Sequence, residues 1–153
     1  MINQKILLTI YEYSYFLTKQ GISRISHQNS LVTPPGGDNS ANWIMGHIIT
    51  SRCNVLAMLK IVPPWDFERC QPYLPDSEPL SPDDKVEDIE IMKRLLDETQ
   101  TSLIAAIQEL TEVNLNRNNG QNTLGEDLAG YAIHEAFHAG EIGIISSMIK
   151  SNH

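Results

Sequence analysis

His134 and His138 stand four residues apart in the stretch YAIHEAFHAGEIG. On a helix, at ~100° per residue, that step brings both imidazoles to one face, one turn apart, where they can hold a single metal ion. Glu141 falls within ~60° of the same face. Two histidines on the flank of an amphipathic helix have the same spacing, so the pair alone does not establish a site. His27 lies beside a loop, His47 lies inside an apolar segment and His153 is the last residue. Each of these three, taken singly, reads as structural or exposed.

The five residues from His134 to His138 also fit H-E-x-x-H, in which Glu135 would serve as the general base of a zinc protease. Such enzymes need a third ligand well downstream, and only 15 residues follow His138. In the longer form of the motif Glu141 occupies the place of the required glycine. Nor does the sequence offer a strand edge for a peptide substrate. Glu135 and His138 form the Glu-x-x-His of di-iron bundles as well. That site needs a second such motif and inward glutamates on other helices, and the segment around His47 has none.

The elements that must position these residues are helical. Ile6, Leu7, Ile10, Tyr13 and Leu17 predict an amphipathic helix from about Ile2 to Ser26, softening near Gly21. Pro34, Pro35, Gly36 and Gly37 mark a loop. Ser40 reads as the N-cap of a second helix that runs to about Lys60 and carries His47. Five of the eight prolines fall between Ile61 and Leu80, so no long helix crosses that segment. Ser81 as N-cap, Pro82 at the first turn and the acidic pair Asp83–Asp84 predict the start of a third helix, followed by a stripe from Val86 to Leu110. The run NLNRNNGQNT ends it, and a fourth helix extends from about Thr123 to Lys150, with Leu124, Leu128, Tyr131, Ile142, Ile145 and Ile149 inward.

The predicted fold is all-α: a single domain over residues 1–153, built as a four-helix bundle. The Pro-rich crossover between helices 2 and 3 is long enough to span a helix of ~30 Å. It can therefore make those helices parallel, which predicts an up-down-down-up layout. The 153-residue chain carries 11 Lys+Arg against 19 Asp+Glu, a formal charge of -8. That balance, with no basic run, argues against nucleic acid and anionic membrane surfaces as partners. Two cysteines without CxxC spacing, no secretory leader and no apolar run of membrane-spanning length predict a cytoplasmic protein with reduced thiols.

Two stretches carry a resemblance. HEAFHAGEIGIISSMI is similar to the H-x-x-x-H-x-G-Q-I signature of DinB-like proteins, and SANWIMGHIITSR resembles the N-W-x-x-G-H-I of the same superfamily. That superfamily includes bacillithiol S-transferases and mycothiol-dependent isomerases. The resemblance implies a divalent metal ion, zinc or nickel, held by His47, His134 and His138 with a coordination position left open. It also implies homodimers. The expected activity is a thiol S-transferase or hydrolase reaction on a small electrophilic molecule, with a low-molecular-weight thiol as partner. The other class of function is a non-catalytic bundle that binds metal or dimerises. No catalytic residue and no organic cofactor site is singled out. Tyr11, Tyr15, Trp43 and the segment 61–80 are pocket candidates. Gly46 would allow a close approach beside His47. Glu141 replaces the usual glutamine of the signature, as an acceptor from a ligand histidine, a proton acceptor or a fourth ligand.

Overall fold

The computed structural model describes residues 2–36, 39–78, 80 and 86–151. It is all-helical, with no strand among the described residues. Four long helices, α1 (Gln4–Ile22), α3 (Ala41–Met58), α5 (Ile89–Gln108) and α7 (Leu124–Ser151), are joined by segments carrying three single-turn helices. Those are α2 (His27–Ser30), α4 (Phe67–Cys70) and α6 (Glu112–Leu115). α1 packs on α5 and α7, and α3 packs on the same two from the other side. No helix among the described residues is long and apolar enough to cross a membrane.

α1 begins where the Asn3 side chain accepts a hydrogen bond from the Ile6 N–H at 2.9 Å. It ends at Ile22, short of the predicted Ser26, because Ser26 instead caps α2 through the Asn29 N–H. Its buried face is Leu7, Tyr11, Ser14, Thr18 and Ile22, whereas Ile6, Tyr13 and Leu17 are exposed. The apolar count misplaces this face because two inward positions are hydroxyls. Thr18 donates to the Ser14 carbonyl within the helix, and the single Ser14 hydroxyl proton goes across to Glu135, so both are satisfied.

Ser40 caps α3 as predicted, accepting from the Trp43 N–H at 3.3 Å. Apart from Asn54 and Ala57, α3 is buried or nearly so, and it has no consistent polar side. Besides α5 and α7, the connection from 61 to 80 covers it: Trp65, Cys70 and Tyr73 join its core cluster. As expected, no long helix forms among the described residues of that connection, which hold α4 and a 3₁₀ turn at Gln71–Tyr73.

The start of α5 differs from the sequence expectation. Ser81, Pro82, Asp83 and Asp84 lie outside the described residues, and Val86–Asp88 is not helical. Asp88 is the cap, its carboxylate accepting from the Glu90 N–H at 2.7 Å. Ile89 and Met92 are the first residues of α5 that reach the core. α7 starts at a reciprocal cap, in which Thr123 Oγ1 accepts from the Glu126 N–H and Glu126 accepts from the Thr123 N–H. Of its predicted inner residues, Leu124, Leu128, Ile142 and Ile145 are buried, and Tyr131 and Ile149 are half-buried.

Contacts along the helices set their relative levels. Gln4, at the start of α1, bonds the Ile107 and Gln108 carbonyls at the end of α5, while Lys93, near the start of α5, reaches the Ile25 carbonyl just past α1. Tyr11 donates to the Leu128 carbonyl and Ser14 to Glu135, whereas Gly21 lies against Ile142 and Gly143. Asn42 reaches the Glu87 carbonyl and Arg52 the Leu96 carbonyl.

Candidate metal centre

α3 brings His47 to the level at which α7 presents His134 and His138. The Nε2 atoms of His47 and His134 are 3.2 Å apart, and those of His138 and His134 are 3.0 Å apart. One ligand nitrogen from each ring lies within 4.8 Å of the other two. His47 is 5% exposed, His138 is 8% exposed and His134 is half-buried. His27 is not part of this cluster; its ring meets the Ile89 N–H at the start of α5. His153 lies outside the described residues.

The tautomers follow from the outer ring nitrogens. His47 Nδ1–H donates to the Tyr73 carbonyl at 2.6 Å, an oxygen that can only accept. His138 Nδ1–H donates to the Glu141 carboxylate at 2.6 Å. In the neutral form that a metal ligand requires, each of these rings therefore turns an Nε2 lone pair toward His134 Nε2. A proton on His134 Nε2 can serve only one of those two contacts, leaving lone pairs face to face at the other. His134 Nδ1 is buried with no hydrogen-bond partner. A cation among the three nitrogens removes the repulsion and frees the His134 proton for Nδ1. Two nitrogens on a tetrahedral ion at ~2.0–2.1 Å stand roughly 3.3 Å apart, close to the spacings found. The residues fit a divalent metal ion.

The electrostatics agree. Burial lowers the pKa of His47, with the Tyr73 carbonyl opposing in part, and burial lowers that of His134, reinforced by its two histidine neighbours. Both rings are thereby held in the neutral form that a metal requires. Glu141 reaches the Nδ1 side of His138, opposite the converging nitrogens. Its place is that of a carboxylate orienting a ligand ring rather than of a fourth ligand.

Gly46 accommodates the Tyr73 ring: a Cβ there would fall 2.2 Å from Tyr73 Cδ1. The close approach expected at this glycine thus comes from the aromatic residue whose carbonyl fixes His47. Trp43 stacks on the His47 ring at 4.8 Å between centroids and holds it from the other side.

Glu135 does not face the histidines. It is 2% exposed and forms a bidentate pair with the equally buried Arg52, Nε to Oε2 and Nη2 to Oε1, both at 2.8 Å. Arg52 also donates to the Leu96 carbonyl, Thr99 Oγ1 and Gln100 Oε1, which occupies all five of its N–H groups. Ser14 donates to Glu135 Oε1 at 3.0 Å. This one network ties α1, α3, α5 and α7 together one turn from the histidines. A general base or a di-iron ligand at Glu135 is incompatible with it.

A cavity of about 400 Å³ opens on His47 and His134. Leu74 and Pro75 of the Pro-rich connection line it, but Tyr11, Tyr15 and Trp43 do not. Tyr11 is buried against α7 and Tyr15 donates to Asp97 at 2.8 Å. Arg52 and the Tyr73 carbonyl were not among the residues singled out from sequence. An arginine in a helix apolar on all sides is the available signal for the first; a main-chain acceptor leaves none for the second.

No curated protein matches the chain. Its structure is similar to a crystal structure described as a conserved protein of locus from Enterococcus faecalis, with a TM-score of 0.66 and 14% identity over 99% of both chains. At that identity the likeness is one of fold. The model for the DinB superfamily matches residues 22–142. That span covers most of the sequence and includes His47, His134 and His138, and the chain belongs to the DinB superfamily.

Proposed function

We propose that the chain is a metal-dependent enzyme that holds one divalent ion, zinc or nickel, through His47, His134 and His138, and acts on a small electrophilic molecule as a thiol S-transferase or hydrolase. The observation that carries the reading is the set of three Nε2 atoms turned on one another, two of them fixed as acceptors by their outer hydrogen bonds, beside an open cavity. When bound, such an ion supplies Lewis acidity that makes a thiol or water a nucleophile at neutral pH. The chain's own residues do the rest. Tyr73 and Glu141 fix ring orientation, Trp43 shields His47 from water, and the Arg52–Glu135 pair keeps α3 and α7 in register.

The proposed architecture is a single up-down-down-up bundle. The Gln4 and Lys93 contacts favour α1 and α5 running in opposite senses, those of Asn42 and Arg52 favour α3 and α5 running together, and those of Tyr11 and Gly21 favour α1 and α7 running together. The proposed partner is a second copy of the chain. Ile133, Phe137 and Ile144 form an exposed apolar row on α7, at the spacing of one helical face. Elemental analysis of the purified protein followed by a thiol-conjugation screen over a panel of electrophiles tests the activity. A metal-loaded protein that conjugates none of them supports the non-catalytic alternative, a bundle that binds metal alone.

A further inference from the structure

The chain has two cysteines, and the fold brings them together. Cys53 lies on α3 and Cys70 ends α4; both are free thiols buried in one core cluster. The Cys53 S–H donates to the Cys70 sulfur, and the Thr50 hydroxyl, one turn earlier on α3, donates to the same atom. Cys53 in turn accepts from the Trp65 N–H. Solvent is close by. α4 is a surface turn on which Phe67 is 70% exposed and Arg69 half-exposed, with Cys70 on its inner side.

A buried free cysteine most often packs as a small apolar side chain, and one alone would point to nothing. This pair differs because its sulfurs come from separate elements and are already in hydrogen-bond contact. They are also unequal. Donation from Cys53, and then from Thr50, holds the Cys70 thiol below its ordinary pKa against the opposing effect of burial. Donation to Cys70, together with burial, pushes the Cys53 thiol up. Cys70 is thus the nucleophile of the pair, and Cys53 stands where a resolving thiol must. Position gives the pair a consequence. Cys70 comes three residues before Tyr73, whose carbonyl fixes His47 and whose ring fills the space at Gly46. Leu74 and Pro75, next in the chain, line the cavity beside the histidines.

We propose that Cys53 and Cys70 are an oxidation site, at which a small hydroperoxide converts the two thiols to a reversible disulfide that latches the segment from Cys70 to Pro75 onto α3. The Cys70 thiolate attacks one peroxide oxygen, the O–O bond breaks, and Cys70 becomes a sulfenic acid. With hydrogen peroxide the leaving hydroxide takes up the proton that Cys70 gave up, forming water. The Cys53 sulfur then attacks the Cys70 sulfur, the S–O bond breaks, and the hydroxyl leaves with the Cys53 proton as a second water. Two electrons have passed from the sulfurs to the peroxide. A thiol reductant reopens the bond by exchange. The closed loop spans residues 54–69, so the latch restricts the opening of the segment that holds His47 and walls the cavity.

The test treats metal-free protein with hydrogen peroxide, alkylates the remaining thiols and maps both cysteines by peptide mass spectrometry. Peptides carrying Cys53 and Cys70 are expected to be linked within one chain and to separate after dithiothreitol. Cys53→Ser keeps a donor to Cys70 and is expected to form a dimedone-trapped sulfenic acid there about tenfold or more faster than Cys70→Ser forms one at Cys53. Amide hydrogen exchange at Gln71, Tyr73 and Leu74 is expected to slow by about tenfold or more in the oxidised wild type. Thiols still free after excess peroxide, overoxidation of either sulfur without linkage, or linkage between chains overturns the inference. So does equal reactivity of the two variants or unchanged exchange. Should a serine variant fail to fold, the wild-type linkage, its reversal and the exchange rates decide alone. No step involves a metal ion, so this test and that of the three-histidine site fail independently.

Discussion

His138 shows what a single residue's surroundings decide. Its Nδ1 is taken by Glu141, so Nε2 is the only nitrogen it offers to the cluster. Glu141→Gln keeps an acceptor but removes the charge. The variant should still bind metal stoichiometrically, with affinity lower by ~10–100-fold and an unchanged helical signal. Competition with a chromogenic chelator measures this; complete loss of binding would mean that the carboxylate itself is a ligand. His47 and His134 bear on pH. Burial lowers their folded-state pKa, so between that value and the unfolded value near ~6.5 the unfolded chain binds more protons than the folded one. Their contribution to stability is complete above ~6.5 and is lost as pH falls below it. The urea midpoint of metal-free protein should therefore drop from pH 7.5 to pH 5.5, and by less in His134→Ala. The pair His134–His138 is legible from spacing alone. His47 is legible only through the resemblance of SANWIMGHIITSR, because nothing local distinguishes it from a core histidine.

At the scale of elements, the Arg52–Glu135 pair is the cross-tie of the four long helices. Both side chains are essentially excluded from water, at 1% and 3% exposure. Arg52→Met leaves the Glu135 charge buried with only Ser14 as a donor and should destabilise the fold by ~3–5 kcal/mol. Combining it with Glu135→Leu should restore much of that loss, since an apolar pair of similar volume carries no uncompensated charge. Urea unfolding of the single and double variants separates the two cases; a double variant less stable than the single would contradict this account. The pairing is not legible in the sequence, although an arginine inside an otherwise apolar helix is a signal for Arg52. Glu135 fits H-E-x-x-H well enough to suggest a base, and only the neighbouring helices reveal that it faces inward. The start of α5 is placed too early for a related reason: Asp88 is itself a capping residue, and Ile89 and Met92 just after it are drawn into the core. The cap of α3 is legible because Ser40 is the last of the capping run Asp38-Asn39-Ser40 before the apolar stretch, and the α1 face is misread because Ser14 and Thr18 are polar residues in a buried stripe.

The whole molecule reads from sequence as all-helical because long periodic segments separated by proline and glycine leave few alternatives. The Pro-rich connection was legible as a break but not as part of the core, since proline content says nothing of where Trp65 and Tyr73 end up. The apolar row on α7 belongs to this scale. Phe137, 64% exposed, and Ile144, 59% exposed, leave most of their surface uncovered within one chain. Sedimentation should show a dimer that Phe137→Glu with Ile144→Glu converts to a folded monomer, because a buried unpaired charge disfavours association; an unaltered oligomeric state in that variant would place the contact elsewhere. The central claim is that three histidines from two helices hold one metal ion. Titrating cobalt into wild-type protein and into His47→Ala, His134→Ala and His138→Ala, with the helical signal recorded alongside, tests it most directly. The predicted result is about one ion per wild-type chain, and its loss in every variant while the helices persist, since apolar burial rather than metal supplies most of the folding free energy. Undiminished stoichiometric binding in any of the three variants, or no binding by the wild type, would contradict it.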